Sequence, residues 1–414
     1  MNVAFFIARR IARSSAENRP GVMVRIAALS VALSMTVMIL ALAVIMGFKE
    51  EITRKVVGFA ADAELTDIRS VNSLESQPIV LHPQVEALIR QSPGFASMSP
   101  YGSKGGILKT ADAMQGVLLK GVDGTYDWSF LEEHLVSGTL PRVGDSIRTK
   151  DVLLAQRVAD HLQLKVGDKI EMLFIEPATA PRRDRFKISG LYDSGMAEMD
   201  NLIMMTDLRN VQRLSGWQED QVSGYEIRVK DFSQVGAFAS KLNEQLLYTD
   251  IEDAENLAVN SVVQLYPYLF DWLRTHDVNA MVILVIMLVV ALFNMASVLL
   301  ILVLERTRMI GLLKALGMTN GGLQRLFLYR ASFIVIRGVI WGNVVGLTLC
   351  LIQKYFHVMK LDATGYLLSE VPISLDWAWW LTLNVGVVAV IILLLTLPTA
   401  IISSIKPDES IRYN

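Results

Sequence analysis

The chain has 414 residues, 52% hydrophobic and 19% charged, with a mean hydropathy of +0.39 and a formal net charge of −2. So apolar a composition excludes a wholly water-exposed fold, and the near-neutral balance lacks the basic surface that a nucleic-acid partner requires. The single cysteine, Cys350, excludes an intrachain disulfide and leaves the redox compartment open.

In residues 1–21, Val3, Ile7 and Ile11 stand against Arg9 and Arg13 at helical spacing, the pattern of an interfacial helix along the cytoplasmic leaflet. An apolar run follows at 22–48. A helix rises about 1.5 Å per residue, so roughly 20 apolar residues cross a hydrocarbon core about 30 Å thick. The run exceeds the roughly 7–15 residues of a signal-peptide core, so it is expected to remain as a first membrane span. Beyond Gly47, the residues Phe48, Ile52, Val56 and Val57 continue at helical spacing among Lys49, Glu50, Arg54 and Lys55, which predicts a stalk.

Residues 49–279 change period from stretch to stretch. Strands are expected at 63–68, 114–120, 169–174, 185–191, 201–205 and 225–229. Helices are expected at 83–90, 151–162, 207–214 and 232–247, with Asp151 and Asp207 as N-caps, and 257–275 reads as a second helical stalk. These elements make a large α+β domain, long enough for two subdomains, inserted between the first and second spans.

Three further apolar runs, 280–304, 326–352 and 377–402, complete a four-helix transmembrane arrangement. Arginines before the first span, Arg306, Arg308, Lys314 and Arg325 in the 305–325 loop, and Lys406 and Arg412 in the 403–414 tail put both termini on the cytoplasmic side. The 49–279 domain and the 353–376 loop then lie outside. Trp377, Trp379 and Trp380 read as an outer aromatic belt, with Trp272 a looser candidate.

Catalytic patterns are missing from the sequence. There is no G-x-x-x-x-G-K-[ST] loop, no HExxH, no paired Cys/His spacing and no G-x-S-x-G; the five histidines are scattered. A non-catalytic chain with no cofactor of its own is the stronger reading. The inner loop is the sharpest local signal: Met309, Leu312, Leu313 and Leu316 recur at i, i+3, i+4 and i+7 beside Arg306, Arg308 and Lys314, an apolar ridge suited to a partner or to the membrane face. Gly338, Gly342 and Gly346, four apart, mark a helix face that a neighbour approaches closely, and Asn294 and Asn343 suit interhelical hydrogen bonds. Arg330 and Arg337 share a face of the third span, where charge is costly.

The loop 305–322, ERTRMIGLLKALGMTNGG, and the closing Pro407-Asp408-Glu409-Ser410-Ile411-Arg412 resemble the signatures of the FtsX-like (MacB-type) permease superfamily. A narrower resemblance, to the lipoprotein-releasing Lol-type permeases, covers nearly the whole chain. It rests on Gly47-Phe48-Lys49-Glu50-Glu51 with Val57-Gly58, on Leu119 to Asp123 (LKGVD), on Leu164 to Lys169 (LKVGDK), and above all on Gly190 to Asp200 (GLYDSGMAEMD). Arg337 departs from the pattern, which favours small or apolar residues there.

The resemblance implies a MacB-like periplasmic core and a multi-pass subunit of the bacterial inner membrane. It implies a partner cytoplasmic ABC ATPase dimer that binds the ATP and magnesium, a second permease, identical or related, lipoprotein cargo and a periplasmic lipoprotein chaperone. By that resemblance Arg306, Met309, Gly311, Leu312, Leu313, Leu316 and Gly317 would couple to the ATPase. Val44, Ile45, Phe48, Leu284, Met287 and Phe293 are the expected lipoprotein cleft, apolar as acyl chains require. The segment 175–186, with Pro177, Pro181, Arg182, Arg183 and Arg185, is expected to project as a loop, which the resemblance equates with a chaperone hook. A drug or toxin efflux permease and a signalling permease that activates a cell-wall hydrolase are the competing readings.

Overall fold

A computed structural model describes residues 22–70, 76–110, 113–144, 147–174, 181–249, 251, 254–361, 368 and 370–396. The expected interfacial helix at 1–21 and the 403–414 tail lie outside them. The described residues divide into two compact units, a helical one (from within residues 1–50, 272–360 and 371–414) and a mixed one (from within 51–271 and 361–370).

Helix α1, Val22–Ala60, does run on past the first apolar stretch. It ends at Ala61, whose φ of 54° turns the chain into strand β1, Ala63–Asp67. Then follow α2 (Pro83–Gln91), β2 (Phe95–Lys109), β3 (Met114–Val122), β4 (Leu135–Gly138), β5 (Asp151–Ala155), α3 (Gln156–Leu162), β6 (Lys169–Phe174) and β7 (Arg182–Tyr192). After β8 (Ile203–Asp207) come α4 (Leu208–Ser215), β9 (Gly224–Val229), α5 (Val235–Leu247) and β10 (Leu257–Ser261). The helical unit continues with α6 (Pro267–Glu305), α7 (Thr307–Ala315), α8 (Asn320–Phe356) and α9 (Trp377–Leu394).

The strands form one ten-stranded sheet in the order β10-β1-β9-β2-β3-β8-β5-β7-β4, with β6 joining β2 to β7. The pairings β2–β3, β3–β8, β8–β5, β5–β7, β7–β6 and β6–β2 therefore close on themselves, leaving β9, β1 and β10 as an open wing and β4 as a flap on β7. Strand β2 belongs to both parts: Phe95 to Tyr101 pairs with β9, and Tyr101 to Lys109 with β3. The two expected subdomains thus share a backbone ladder. Over the wing, Val85 and Ile89 of α2 and Val235, Phe238, Leu242 and Leu246 of α5 bury against Leu65, Ile227 and Val259. Over the ring, α4 lies so close that a Cβ on Gly121 would sit 2.8 Å from the Leu208 Cα.

Two expected helices are corrected. Asp151 opens strand β5 rather than capping a helix, and α3 begins only at Gln156; Val152, Leu153, Leu154 and Ala155 are all fully buried, as a strand covered on both faces requires. Leu257 to Ser261 is the edge strand β10, paired to β1, and not a stalk helix. Asp207 does cap α4, its carboxylate accepting from the Arg209 N–H.

In the helical unit, α1, α6, α8 and α9 are long and apolar enough to cross a membrane. The Gly338, Gly342 and Gly346 face of α8 lies on α1. Added Cβ atoms there would fall 2.7 Å from the Val31 Cβ, 2.6 Å from the Met35 Cβ and 3.3 Å from the Ile39 Cβ, and Thr36 donates to the Gly342 carbonyl at 3.1 Å. On another side of α8, Asn343 donates to Asn384 at 2.6 Å, while Trp380 Nε1 donates to Asn343 Oδ1 at 2.7 Å. This network fixes α9, and it takes Trp380 out of the outer belt that exposed Trp377 and Trp379 still suit.

A Gly342→Ala substitution should cost about 1–3 kcal/mol by overpacking against α1. Gly386→Ala on α9, where nothing lies within 4 Å, should be neutral or slightly stabilising. Thermal unfolding of the detergent-solubilised protein measures both; equal midpoints would mean that the glycine face does not set the α1–α8 distance.

Candidate coupling, cleft and docking surfaces

The 305–325 loop folds as α7 between two chain reversals. Leu316 ends it, Gly317 adopts φ 92°, and Thr319 caps α8 through the Gly322 N–H at 3.2 Å. The predicted ridge divides. Met309 and Leu313 pack with Ile310 into the helix-bundle core and Gly311 is buried, whereas Leu312 and Leu316 are 61% and 76% exposed. Positions i and i+4 share a face, so these two leucines form the exposed apolar face of α7, with exposed Arg306 and Gly317 nearby in sequence.

The six expected cleft residues do not share one face either. Leu284 and Met287 of α6 pack against the bundle core, but Phe293 is 71% exposed. Nine residues at 100° per residue turn Phe293 half a revolution from Leu284, so Phe293 lies on the opposite, exposed face of α6. Val44, Ile45 and Phe48 are half-buried on α1, and Phe48 meets Trp272 edge-on at 6.4 Å between ring centres. Just beyond them Lys49 pairs with Asp277 at 2.9 Å, an exposed bridge of little energetic weight. The 371–376 segment crosses α1 here: Ser374 N–H donates to the Ala43 carbonyl at 3.1 Å, and a Cβ on Gly47 would lie 2.4 Å from the Pro372 oxygen. Side chains at Gly47 would expel that crossing.

The expected hook is shorter than its sequence suggests. Arg182, Arg183 and Arg185 belong to strand β7, in register with Phe174, Leu173 and Glu171 of β6. Arg183 and Arg185 face Glu171 at 3.6 and 3.9 Å, and Arg182 donates to the Leu214 carbonyl at 2.9 Å. The arginines therefore lie in a strand and do not project in a loop. Pro181 precedes β7, and Pro177 falls outside the described residues. In α8, Arg330 is half-buried and Arg337 is exposed.

The LKGVD and GLYDSGM motifs of the mixed unit meet at the end of α1, a site that sequence reasoning missed. Lys55 is buried and donates to the Ser194 carbonyl; Ser194 Oγ donates to Asp200 at 2.6 Å. Lys120 donates to the Phe59 carbonyl and pairs with Glu226, and Tyr101 donates to Glu64 at 2.8 Å. Burial lowers the Lys55 ammonium; Lys120 is held above its ordinary value, with Glu226 overcoming the burial that opposes its charge. Burial pushes Asp200 up to about 6, and burial with the nearby Glu226 carboxylate pushes Glu64 up to about 7. The signal that could have found this was two lysines inside otherwise apolar-periodic segments. No group of three or more metal-competent side chains occurs among the described residues.

Residues 26–245 match the MacB-like periplasmic core domain model and residues 281–407 the FtsX-like permease C-terminal model. The chain belongs to the FtsX-like permeases with a MacB-like periplasmic core. This permease is 25% identical to the lipoprotein-releasing system transmembrane protein LolC of Xylella fastidiosa strain Temecula1, over 93% of this chain and 92% of that one. It is 22% identical to the lipoprotein-releasing system transmembrane protein LolE of Haemophilus influenzae, over 99% of each. Among solved structures it is similar to the periplasmic region of MacB from Actinobacillus actinomycetemcomitans, with 13% identity and a TM-score of 0.34 over 52% of this chain and 95% of that one.

Glu64 gives the permease a pH signature. Its folded value near 7 exceeds the unfolded value of about 4.3, so its contribution to stability is complete below the unfolded value and is lost as pH rises through about 7. Asp200 acts in the same direction around 6. Between pH 5 and 8 the unfolding midpoint of the mixed unit should fall, and Glu64→Gln should remove the upper part of that slope, on the order of 1–3 kcal/mol. Parallel slopes for variant and wild type would contradict a neutralisable Glu64.

Proposed function

We propose that this chain is the permease subunit of an ATP-driven complex that extracts lipoproteins from the outer leaflet of the bacterial inner membrane and passes them to a periplasmic chaperone. Near-full-length similarity to lipoprotein-releasing transmembrane proteins carries the reading. In this reading both termini are cytoplasmic, and the mixed unit lies in the periplasm. Catalysis belongs to a partner ATPase, which holds the ATP and magnesium, and a second permease, identical or related, completes the membrane section.

The physical need for ATP follows from the anchor. Each buried CH₂ contributes about 0.8 kcal/mol, so a lipoprotein with several acyl chains leaves the bilayer slowly without work. The exposed pair Leu312 and Leu316 on α7 is the apolar surface on which the ATPase would dock, since each leucine loses water contact only when a partner covers it. Val44, Ile45, Phe48, Leu284 and Met287 supply apolar lining for an acyl chain once the bundle opens. Residues 175–181 remain the segment proposed to recruit the chaperone.

Leu312→Asp and Leu316→Asp should each reduce co-purification of the ATPase about tenfold or more while the protein remains inserted and folded. Met309→Asp and Leu313→Asp should instead lower thermal stability, because those side chains pack inward. Normal ATPase binding and wild-type release by both exposed-face variants would exclude α7 as the coupling element.

A photo-crosslinker at Phe48 or Met287 should capture acylated lipoprotein in preference to a non-acylated variant. Equal capture would argue against a lipid-reading cleft. Replacing residues 175–180 by a Gly/Ser segment of equal length should abolish chaperone pull-down and leave ATP hydrolysis intact; retained pull-down would move chaperone docking elsewhere.

A further inference from the structure

The end of α1 is fastened in a way that ordinary packing does not require. Ile52, Val56, Phe59 and Ala60 are buried, and Phe59 lies between the rings of Phe130 and Tyr192 at 5.3 and 5.8 Å. A Cβ on Gly58 would sit 2.5 Å from the Phe130 ring, so the helix is pressed against the segment 129–133. Such contacts supply the burial energy, yet apolar surfaces let a helix slide or rotate at modest cost because they are not directional. Two ammonium groups add the direction. Lys55 reaches outward from the helix to the Ser194 carbonyl, and Glu51 one turn earlier lies 3.8 Å from its Nζ. Lys120 reaches in from β3 to the Phe59 carbonyl at the last turn of the helix, where main-chain oxygens have no helical donor.

Each anchor is itself held. Ser194 Oγ donates to Asp200 and accepts from the Met196 N–H at 3.1 Å, and Gly195, at φ 69°, makes the turn that presents the Ser194 carbonyl. Lys120 pairs with Glu226 on β9, with the Tyr101 and Tyr126 rings 5.7 and 5.6 Å from its ammonium. After the helix, Asp62 Oδ2 accepts from the Val229 N–H at 2.8 Å and its carbonyl accepts from the Val262 N–H at 2.8 Å, so the chain enters the sheet already tied on both sides. Replacing a buried ion pair with apolar residues is often neutral for stability, but here each ammonium also satisfies a buried main-chain carbonyl, Ser194 for Lys55 and Phe59 for Lys120, and so ties the helix end to one position.

We propose that the end of α1 is a force-bearing joint in which Lys55 and Lys120 are the positioning residues that keep the helix from slipping against the sheet when the transporter cycles. The proposal rests on the transport reading for its purpose, but the rigidity of the joint is measurable without it. The two anchors act at different turns of the helix, Lys55 through its own side chain and Lys120 on the Phe59 carbonyl, so together they resist displacement of the helix end better than either does alone.

The test uses the full permease–ATPase complex in nanodiscs, with Cys350→Ala and nitroxide labels at Thr53→Cys and Glu198→Cys. The unmutated joint should give one narrow distance distribution, the same without nucleotide and with ATP trapped. Lys55→Met, Lys120→Met and the double variant should broaden it or make it nucleotide-dependent, and slow lipoprotein release about tenfold while ATP hydrolysis stays within about twofold. Lys55→Arg should restore both readouts. Narrow, nucleotide-independent distances in all the methionine variants would overturn the joint, and so would broadened distances with release at the original rate. Absence of release by the unmutated complex would remove the transport reading and leave the distance result to decide the joint.

Discussion

The carbonyl end of α1 is the constraint on which the mixed unit depends. A helix that terminates inside a folded domain brings unpaired main-chain oxygens with it, and leaving them buried without donors is costly. Lys120 supplies one donor, and its own charge then requires Glu226. The consequences spread through the sheet: β3 must place Lys120 inward, β9 must place Glu226 opposite, and β1 must leave the helix between β9 and β10. One polar requirement thereby fixes the positions of several strands.

The same reasoning gives the family-like motifs a structural content. In GLYDSGM, Gly190 leaves room for the Thr139 oxygen 2.6 Å from where its Cβ would stand, and Tyr192 is buried with its hydroxyl donating to the Ile203 carbonyl at 2.8 Å. Asp193 accepts from the Gly195 N–H at 2.9 Å, and Ser194 faces Lys55. In LKGVD, Lys120 is the anchor and Gly121 admits α4. In LKVGDK, Gly167 at φ 97° and Asp168, which accepts from the Lys165 N–H at 2.8 Å, turn the chain into β6. These motifs fasten and turn the chain.

What was legible in the sequence follows from which forces are local. Spans show themselves by length, and the glycine face by a four-residue period, because a helix carries its hydrogen bonds and its faces within one segment. Strand β2 was missed: Phe95 to Lys109 contains Pro100, three glycines and little alternation, and its identity comes from β9, β3 and β6, all distant in sequence. Strand β5 was misread because Val152 to Ala155 is apolar on both faces, a pattern that periodicity cannot separate from a buried helix. On α7 the spacing identified four apolar positions correctly, but which of them face the bundle is decided by α1, α6 and α8. For the same reason Lys55 read only as one of the charged residues of a stalk, since its partner Ser194 lies 139 residues away.

The two units reach rigidity by opposite means, and solvent explains why. In a hydrocarbon surrounding, apolar side chains gain nothing by leaving lipid for one another, so association rests on close backbone approach and on a few polar bonds. Gly338, Gly342 and Gly346 provide the first against α1, and Asn343, Asn384 and Trp380 the second between α8 and α9. In the mixed unit burial of apolar surface already drives packing, and what it lacks is direction, which Lys55 and Lys120 supply. Helix α1 contributes to both systems, meeting the α8 glycines from Ala28 to Ile39 and, between Glu51 and Ala60, carrying Lys55 and accepting from Lys120. Motion imposed on its membrane part would therefore encounter a close-packed seam, and motion imposed on its far end a set of directional bonds. The seam and the joint rest on different energies, so their effects should separate when each region is altered alone.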